Sequence, residues 1–162
     1  QTVEVGPLPF DDQSFDVVIS SGAFTQIADK SGILGESFRV LRPGGYISCY
    51  DWLKGDYDEY SKDMLYWFEK EGLTYALETL ASYAQVLRKV GFVDIHSRDA
   101  TDWYREKARA EYELMKGDLY PRMVELLGQD DADHFVENWR AMVIVIDAGE
   151  MRQGYSRGRR PE

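Results

Sequence analysis

The sequence predicts an α/β fold, a partial doubly wound and mostly parallel sheet followed by a helical carboxyl-terminal region. Three observations carry that expectation. Phe15–Ser20 is an apolar run that ends in the small residues Ser20-Ser21-Gly22. A helical pattern over Asp29–Leu41 then leads through Pro43-Gly44-Gly45 to a second apolar run, Tyr46–Tyr50. Beyond residue 100 the pattern turns to long helical periods.

The elements follow in order. Thr2–Val5 reads as a short strand broken by Gly6-Pro7, with an apolar loop at Leu8-Pro9-Phe10 and a polar turn at Asp11–Ser14. Phe15, Val17, Val18 and Ile19 form a nearly unbroken apolar strand, the pattern of one covered on both faces. In the Asp29–Leu41 helix, Ile33, Leu34, Phe38 and Leu41 share a face, and Asp29 suits the positive N-terminus. Pro43-Gly44-Gly45 stops that helix and turns the chain, and Tyr46–Tyr50 returns with Asp51 and Trp52 at its end. Strand, helix and strand with short joins make a parallel crossover, and ligands of such sheets bind beyond the carboxyl ends of the strands. A site is therefore expected near Ser20–Gln26 and Asp51-Trp52.

Further helices are expected over Glu59–Glu71, stopped by Gly72, and over Thr79–Val90, capped by Thr79 and stopped by Gly91. Phe92–Ser97 reads as a third strand of the sheet. Three helices follow, Asp102–Lys116, Leu119–Leu127 and Ala132–Ala148, the last with Phe135, Val136, Trp139, Met142, Val143 and Ile146 on one stripe. Glu150–Arg157 is read as a final strand. The whole is taken as one domain with three regions, 1–100, 101–149 and 150–162.

The net charge of -10 argues against a nucleic-acid or anionic-membrane surface, which needs clustered Lys and Arg. The local exception is the tail with Arg152, Arg157, Arg159 and Arg160, read first as a solvated end and second as an anion contact. The lone Cys49, mid-strand, reads as a small core residue. No signal peptide or run long enough to span a bilayer is seen in the sequence, and a cytoplasmic location is expected. His96 and His134 lack ligand spacing, so no metal site is expected.

LPFDDQSFDVVIS resembles the adenine-side loop and fourth strand of class I S-adenosylmethionine-dependent methyltransferases. FRVLRPGGYISCYDW is similar to the helix, turn and fifth strand that follow in that family, and YAQVLRKVGFVDI to the next helix and strand. More narrowly, RDATDWYREKARAEYELM and EMRQGYSRGRRPE resemble small-molecule N-methyltransferases of the phosphoethanolamine methyltransferase type. The resemblance implies a Rossmann-like fold with a helical substrate cover over 101–149, S-adenosylmethionine as cofactor, and a small-molecule acceptor, an amine. The family's first strand and glycine-rich loop lie upstream of the matched segments, so the chain is read as the family's carboxyl-terminal part. Where those N-methyltransferases carry an Asp and a His after the fourth strand, this chain has Gly22 and Gln26.

The resemblance assigns candidate roles. Glu4 would accept from the adenine amino group, with Leu8 and Phe10 against the ring. Ser20, Ser21 and Gly22 would line the cofactor and the transferred methyl. Gln26 would orient an amine lone pair, and Asp51 would hold a substrate ammonium. Phe24, Trp52, Tyr57 and Tyr60 would contact the acceptor, Trp52 through a cation–π face. Most have a plainer reading beside them: a solvated loop glutamate for Glu4, core packing for Leu8 and Phe10, a tight strand end for Ser20–Gly22, an exposed polar residue for Gln26, a turn-capping carboxylate for Asp51, core packing for Trp52, and a helix-packing stripe for Tyr57 and Tyr60.

Two rival classes stand beside the enzyme. One is a non-catalytic or partial domain in which the Phe15–Ser20 strand leaves an apolar sheet edge that invites a homodimer. The other is a different doubly wound nucleotide-binding enzyme, such as a dehydrogenase.

Overall fold

The structure is a computed structural model, and it describes residues 6–162. The strand expected over Thr2–Val5, and Glu4 with it, lies outside the described residues. The described chain forms four strands and six α-helices, in two compact units.

The first unit holds the residues up to Lys54, Tyr75–Asp99 and Gln153–Glu162. It contains strand β1 (Phe15–Ser21), helix α1 (Lys30–Val40) and strand β2 (Leu41–Lys54). Helix α3 (Leu80–Val90) and strand β3 (Val93–Asp99) follow, and β4 (Met151–Arg159) closes the sheet in the order β1-β2-β4-β3. β1 and β2 are parallel, with Val17 opposite Tyr46, Val18 opposite Ile47, Ile19 opposite Ser48 and Ser20 opposite Cys49. The expected parallel pair is thus present. β3 and β4 are antiparallel, so the sheet is mixed.

The helix caps follow local chemistry. Asp29 accepts from Gly32 N at 2.8 Å at the start of α1, and Thr79 accepts from Ser82 N at 3.0 Å at the start of α3. α1 does not end in a turn at Pro43. Leu41 is already extended at φ -73°, ψ 142°, and β2 runs from there through Pro43-Gly44-Gly45. The three residues form an irregularity in the ladder, where the register jumps between Phe15–Leu41 and Val17–Tyr46. Gly45 sits where strands crowd: a Cβ there would lie 2.9 Å from both Arg42 O and Asp16 O.

One face of the sheet carries the core. Leu34, Leu41, Ile47, Cys49, Leu53, Tyr83, Leu87 and Phe92 are buried together, with Val18, Phe38 and Ile95 packed against them. Cys49 is buried as expected, and burial pushes its thiol up to about 12 against a hydrogen bond with Tyr83 that pulls it down. The expectation that β1 is covered on both faces is overturned. Among the described residues Val17 is 50% exposed and Ile19 75% exposed, because α1 and α3 cover only the side of Val18 and Ser20 and β1 stands at the edge of the described sheet.

Arg152 and Arg157 of the basic tail are exposed, as expected of a solvated end, but Arg159 and Arg160 are half-buried. Arg159 pairs with Asp94 at 2.8 Å within the β3–β4 ladder. The Arg160 guanidinium lies over the Phe38 ring and donates to Phe38 O, Arg39 O and Leu41 O at 2.6–3.1 Å. Phe38 and Arg39 lie in the last turn of α1 and Leu41 starts β2, so Arg160 ties the end of the helix to the strand that follows; Arg39 O also accepts from Gln13 N at 3.0 Å.

The second unit, Gly55–Thr74 and Ala100–Arg152, is helical. It contains α2 (Lys62–Glu71), α4 (Thr101–Lys116), α5 (Tyr120–Leu127) and α6 (Gln129–Asp147). α2, α4 and α5 all pack on α6. α6 buries Ala132, Asn138, Ala141, Met142, Val145 and Ile146, whereas Phe135 of the expected stripe is 41% exposed. No described helix is long and apolar enough to cross a membrane.

Candidate cofactor and acceptor site

The carboxyl end of β1 is built from small residues. Ser20 is buried, and its hydroxyl has no hydrogen-bond partner among the described residues. Ser21, opposite Tyr50, and Gly22 and Ala23 beyond it are exposed. Gly22 N donates to Tyr50 O at 2.7 Å, which carries the β1–β2 ladder one step past the strand. Gly22 has φ +74°, and the space its side chain would fill is open. A left-handed residue without a Cβ lets another molecule approach the backbone there.

A tight 3-10 turn, Phe24–Gln26, follows. Gln26 is exposed on it. Phe24 is buried in the core cluster, so its ring fills the interior rather than facing an acceptor. Thr25 is buried, and it anchors the turn: its Oγ1 donates to Asp51 Oδ1 at 3.3 Å, and its carbonyl accepts from Ala76 N at 2.9 Å.

Asp51 lies within β2, which continues to Lys54, rather than at a strand end. It is buried, and the Tyr83 hydroxyl donates to its Oδ2 at 2.9 Å. Both carboxylate oxygens are therefore engaged by neighbouring side chains, and the residue is only 3% exposed. Burial raises the Asp51 pKa, against Tyr83, Thr25 and the nearby Lys30 charge, which pull it down. Lys30 is buried too, and donates to Phe24 O, Ile27 O and Ala76 O. Burial lowers its pKa, while Asp51 and Glu78 oppose the shift.

Leu8 is half-buried and Phe10 is 40% exposed, edge-on to Phe15 at 5.0 Å. Arg39 holds this loop by donating to Leu8 O and Phe10 O, and Leu8 N donates to Glu36 at 2.7 Å. Trp52 is half-buried with its ring against Tyr75, centroids 5.7 Å apart. Tyr57 and Tyr60 belong to the helical unit, where their rings meet at 5.9 Å and the Tyr57 hydroxyl donates to Glu150 O at 3.0 Å. Burial raises the Tyr57 hydroxyl pKa, so it stays a donor.

Within the first unit, Ser20–Gly22, Gln26 and Asp51 thus gather at one end of the β1–β2 pair. Thr25, Lys30 and Tyr83 were not singled out by sequence. One signal pointed to Lys30: a cation in the first turn of a helix opposes the helix dipole.

Comparison with known proteins adds the lineage. Residues 2–49 match the family described as methyltransferase domain. The chain is 29% identical over 148 residues to phosphoethanolamine N-methyltransferase of Triticum aestivum, covering 90% of this chain and 28% of that protein. It is 31% identical over 99 residues to a sterol 24-C-methyltransferase of Schizosaccharomyces pombe, covering 59% of this chain and 26% of the relative. Phosphoethanolamine N-methyltransferase 2 of Haemonchus contortus, solved with phosphomonomethylethanolamine and S-adenosylhomocysteine, superposes with a TM-score of 0.86 at 22% identity, over 94% of this chain and 35% of that one. The chain spans a little over a quarter of the length of the curated relatives it matches. In sequence likeness the chain is similar to S-adenosylmethionine-dependent methyltransferases, most directly over residues 2–49, and it shares their fold.

Proposed function

We propose that this chain forms the carboxyl-side part of a site that transfers a methyl group from S-adenosylmethionine to a small-molecule acceptor, an amine. One observation carries the reading: the parallel β1–β2 pair ends in exposed residues with little or no side chain, Ser21-Gly22-Ala23, beside Tyr50. Open α/β sheets bind their ligands at such strand ends. The residues fit one side of the cofactor. The buried Ser20 hydroxyl lacks a partner among the described residues, and the space over Gly22 is open.

S-adenosylmethionine, when bound, supplies a methyl on a sulfonium sulfur, which leaves as a neutral thioether while the acceptor's lone pair forms the new bond. Ser20, Ser21 and Gly22 line the methyl end. Leu8 and Phe10 offer apolar surface to the adenine, and Glu4 its amino-group partner. Gln26 aligns the amine through its amide oxygen; it cannot take a proton near neutral pH, so the amine must arrive deprotonated. Asp51 acts through Thr25 on the turn that carries Gln26. Trp52, Tyr57 and Tyr60 are assigned to acceptor contact, Phe24 to support beneath the turn, and the segment 101–149 to the acceptor cover. An amine is favoured over a carbon acceptor by the likeness to phosphoethanolamine N-methyltransferases along 90% of the chain. The charge of -10 disfavours nucleic acid and anionic membrane as partners, and the cytoplasm is the compartment assigned to the chain.

A second reading rests on the exposed Val17 and Ile19 of β1, at the edge of the described sheet: a non-catalytic or partial domain that pairs with a second copy there. Calorimetric titration of the 162-residue chain with S-adenosylmethionine, with its mass measured in solution, separates the two. Binding heat from a monomer supports the transfer site and refutes the second reading. No heat from a dimer does the reverse.

A further inference from the structure

We infer that Lys30 is a positioning residue of the transfer site, whose ammonium sets the backbone of the Phe24–Ile27 turn and thereby the places of Ser21, Gly22 and Gln26. The inference rests on the methyl-transfer reading above. Lys30 starts α1, yet its side chain is only 4% exposed overall and points inward. An ammonium has three N–H donors and no acceptor. Here all three are satisfied by main-chain carbonyls: Phe24 O at 2.6 Å, Ile27 O at 2.5 Å and Ala76 O at 2.8 Å. Two of these lie on the turn and the third on the segment that leads into α3.

The same turn is gripped from two more sides. Ala76 N donates to Thr25 O, so the 76 segment holds the turn both directly and through Lys30. Thr25 Oγ1 donates to Asp51, which Tyr83 holds in turn. A surface turn with exposed Ser21, Gly22, Ala23 and Gln26 would ordinarily be mobile. Here a buried charge and a buried carboxylate are both used on a stretch of four residues. Stability alone rarely favours that, since burying unpaired charge is costly and apolar packing serves as well. The expense is understandable if the turn must hold one geometry at the methyl end of the cofactor.

The test uses the whole 162-residue chain and two substitutions. Lys30→Met keeps the stem and removes all three donors. Thr25→Val keeps the shape and removes the bond to Asp51, and it decides the matter if Lys30→Met fails to fold. Two readouts are taken: amide hydrogen exchange, and the affinities for S-adenosylmethionine and S-adenosylhomocysteine. In either variant, exchange at Gln26, Ile27 and Ala76 is expected to rise about 10-fold or more while α4 and α6 keep the wild-type rate. The ratio of the two affinities is expected to change by at least about 3-fold, a shift that general loss of stability does not produce. An unchanged ratio in a folded variant, or exchange that rises evenly along the chain, overturns the role of Lys30. If the unsubstituted chain binds neither compound, the methyl-transfer reading itself fails and the positioning role falls with it.

Discussion

Replacing Gly45 with alanine tests the tightest contact in the sheet. Its new Cβ would stand 2.9 Å from Asp16 O on β1 and 2.9 Å from Arg42 O, with a Leu41 methyl at 3.1 Å. Ordinary carbon–oxygen contacts lie near 3.3 Å or beyond, so two backbone oxygens must each retreat by about 0.4 Å. Neither belongs to a flexible side chain that can swing away. The relief has to come from opening the β1–β2 ladder at its irregularity, beside the Val17–Tyr46 pair. Overpacking of this kind costs about 1–3 kcal/mol. For a chain of this size that lowers Tm by roughly 2–12 °C. Gly35→Ala is the control. Gly35 lies inside α1 with nothing within 4 Å of an added Cβ, so alanine should stabilise by about 0.5–1 kcal/mol. Urea unfolding of the three proteins gives the midpoints at constant slope. A Gly45→Ala midpoint equal to or above wild type, alongside the expected gain for Gly35→Ala, would refute the crowding argument.

Leu34→Ala should cost about 2–5 kcal/mol in the same assay, because the side chain is fully buried among Ile47, Tyr83 and Leu87; a loss below 1 kcal/mol would show that the core closes over the gap. Arg160→Met keeps an apolar side chain of similar reach but drops the donors to the carbonyls of Phe38, Arg39 and Leu41, and should cost about 1–2 kcal/mol, read as a lower urea midpoint. Asp51 gives a pH signature. Its folded pKa is raised by burial, so the folded state holds the proton more tightly than the unfolded chain does. That contribution is present below the unfolded carboxylate value, near 4, and is lost as pH rises through the folded value. The stability of wild type minus that of Asp51→Asn should therefore fall between acidic and neutral pH. A difference that grows with pH contradicts the assignment.

Much of the first unit was legible in sequence because its signals are local. The Thr79 cap, the Asp29 carboxylate at the start of α1, the apolar face of α1 and the parallel pairing of two apolar runs all appear where residue pattern places them. The small residues after Ile19 likewise marked the strand end that carries the candidate site. What was missed is non-local. An apolar run says that a strand is sticky, not which of its faces a helix covers, and so the exposure of Val17 and Ile19 was not foreseen. Apolar periodicity also ignores buried polar groups, which is why Asn138 replaced Phe135 on the inner side of α6. The clamp of Thr25, Lys30, Asp51 and Tyr83 joins residues from three elements, α1, β2 and α3, and the turn that precedes α1. Arg160 finds its carbonyls more than a hundred residues away. No window of sequence holds either set together.

The strand order has a bearing on how the chain is made. β4 is synthesised after β2 and β3, yet it lies between them. At ordinary translation speed the ribosome needs roughly 3–12 s to travel from Asp99 to Arg159. For that interval the inner edges of β2 and β3 face each other with no partner between them. Nascent chains stalled before Met151 should therefore recruit chaperones, and release them once β4 has slotted in.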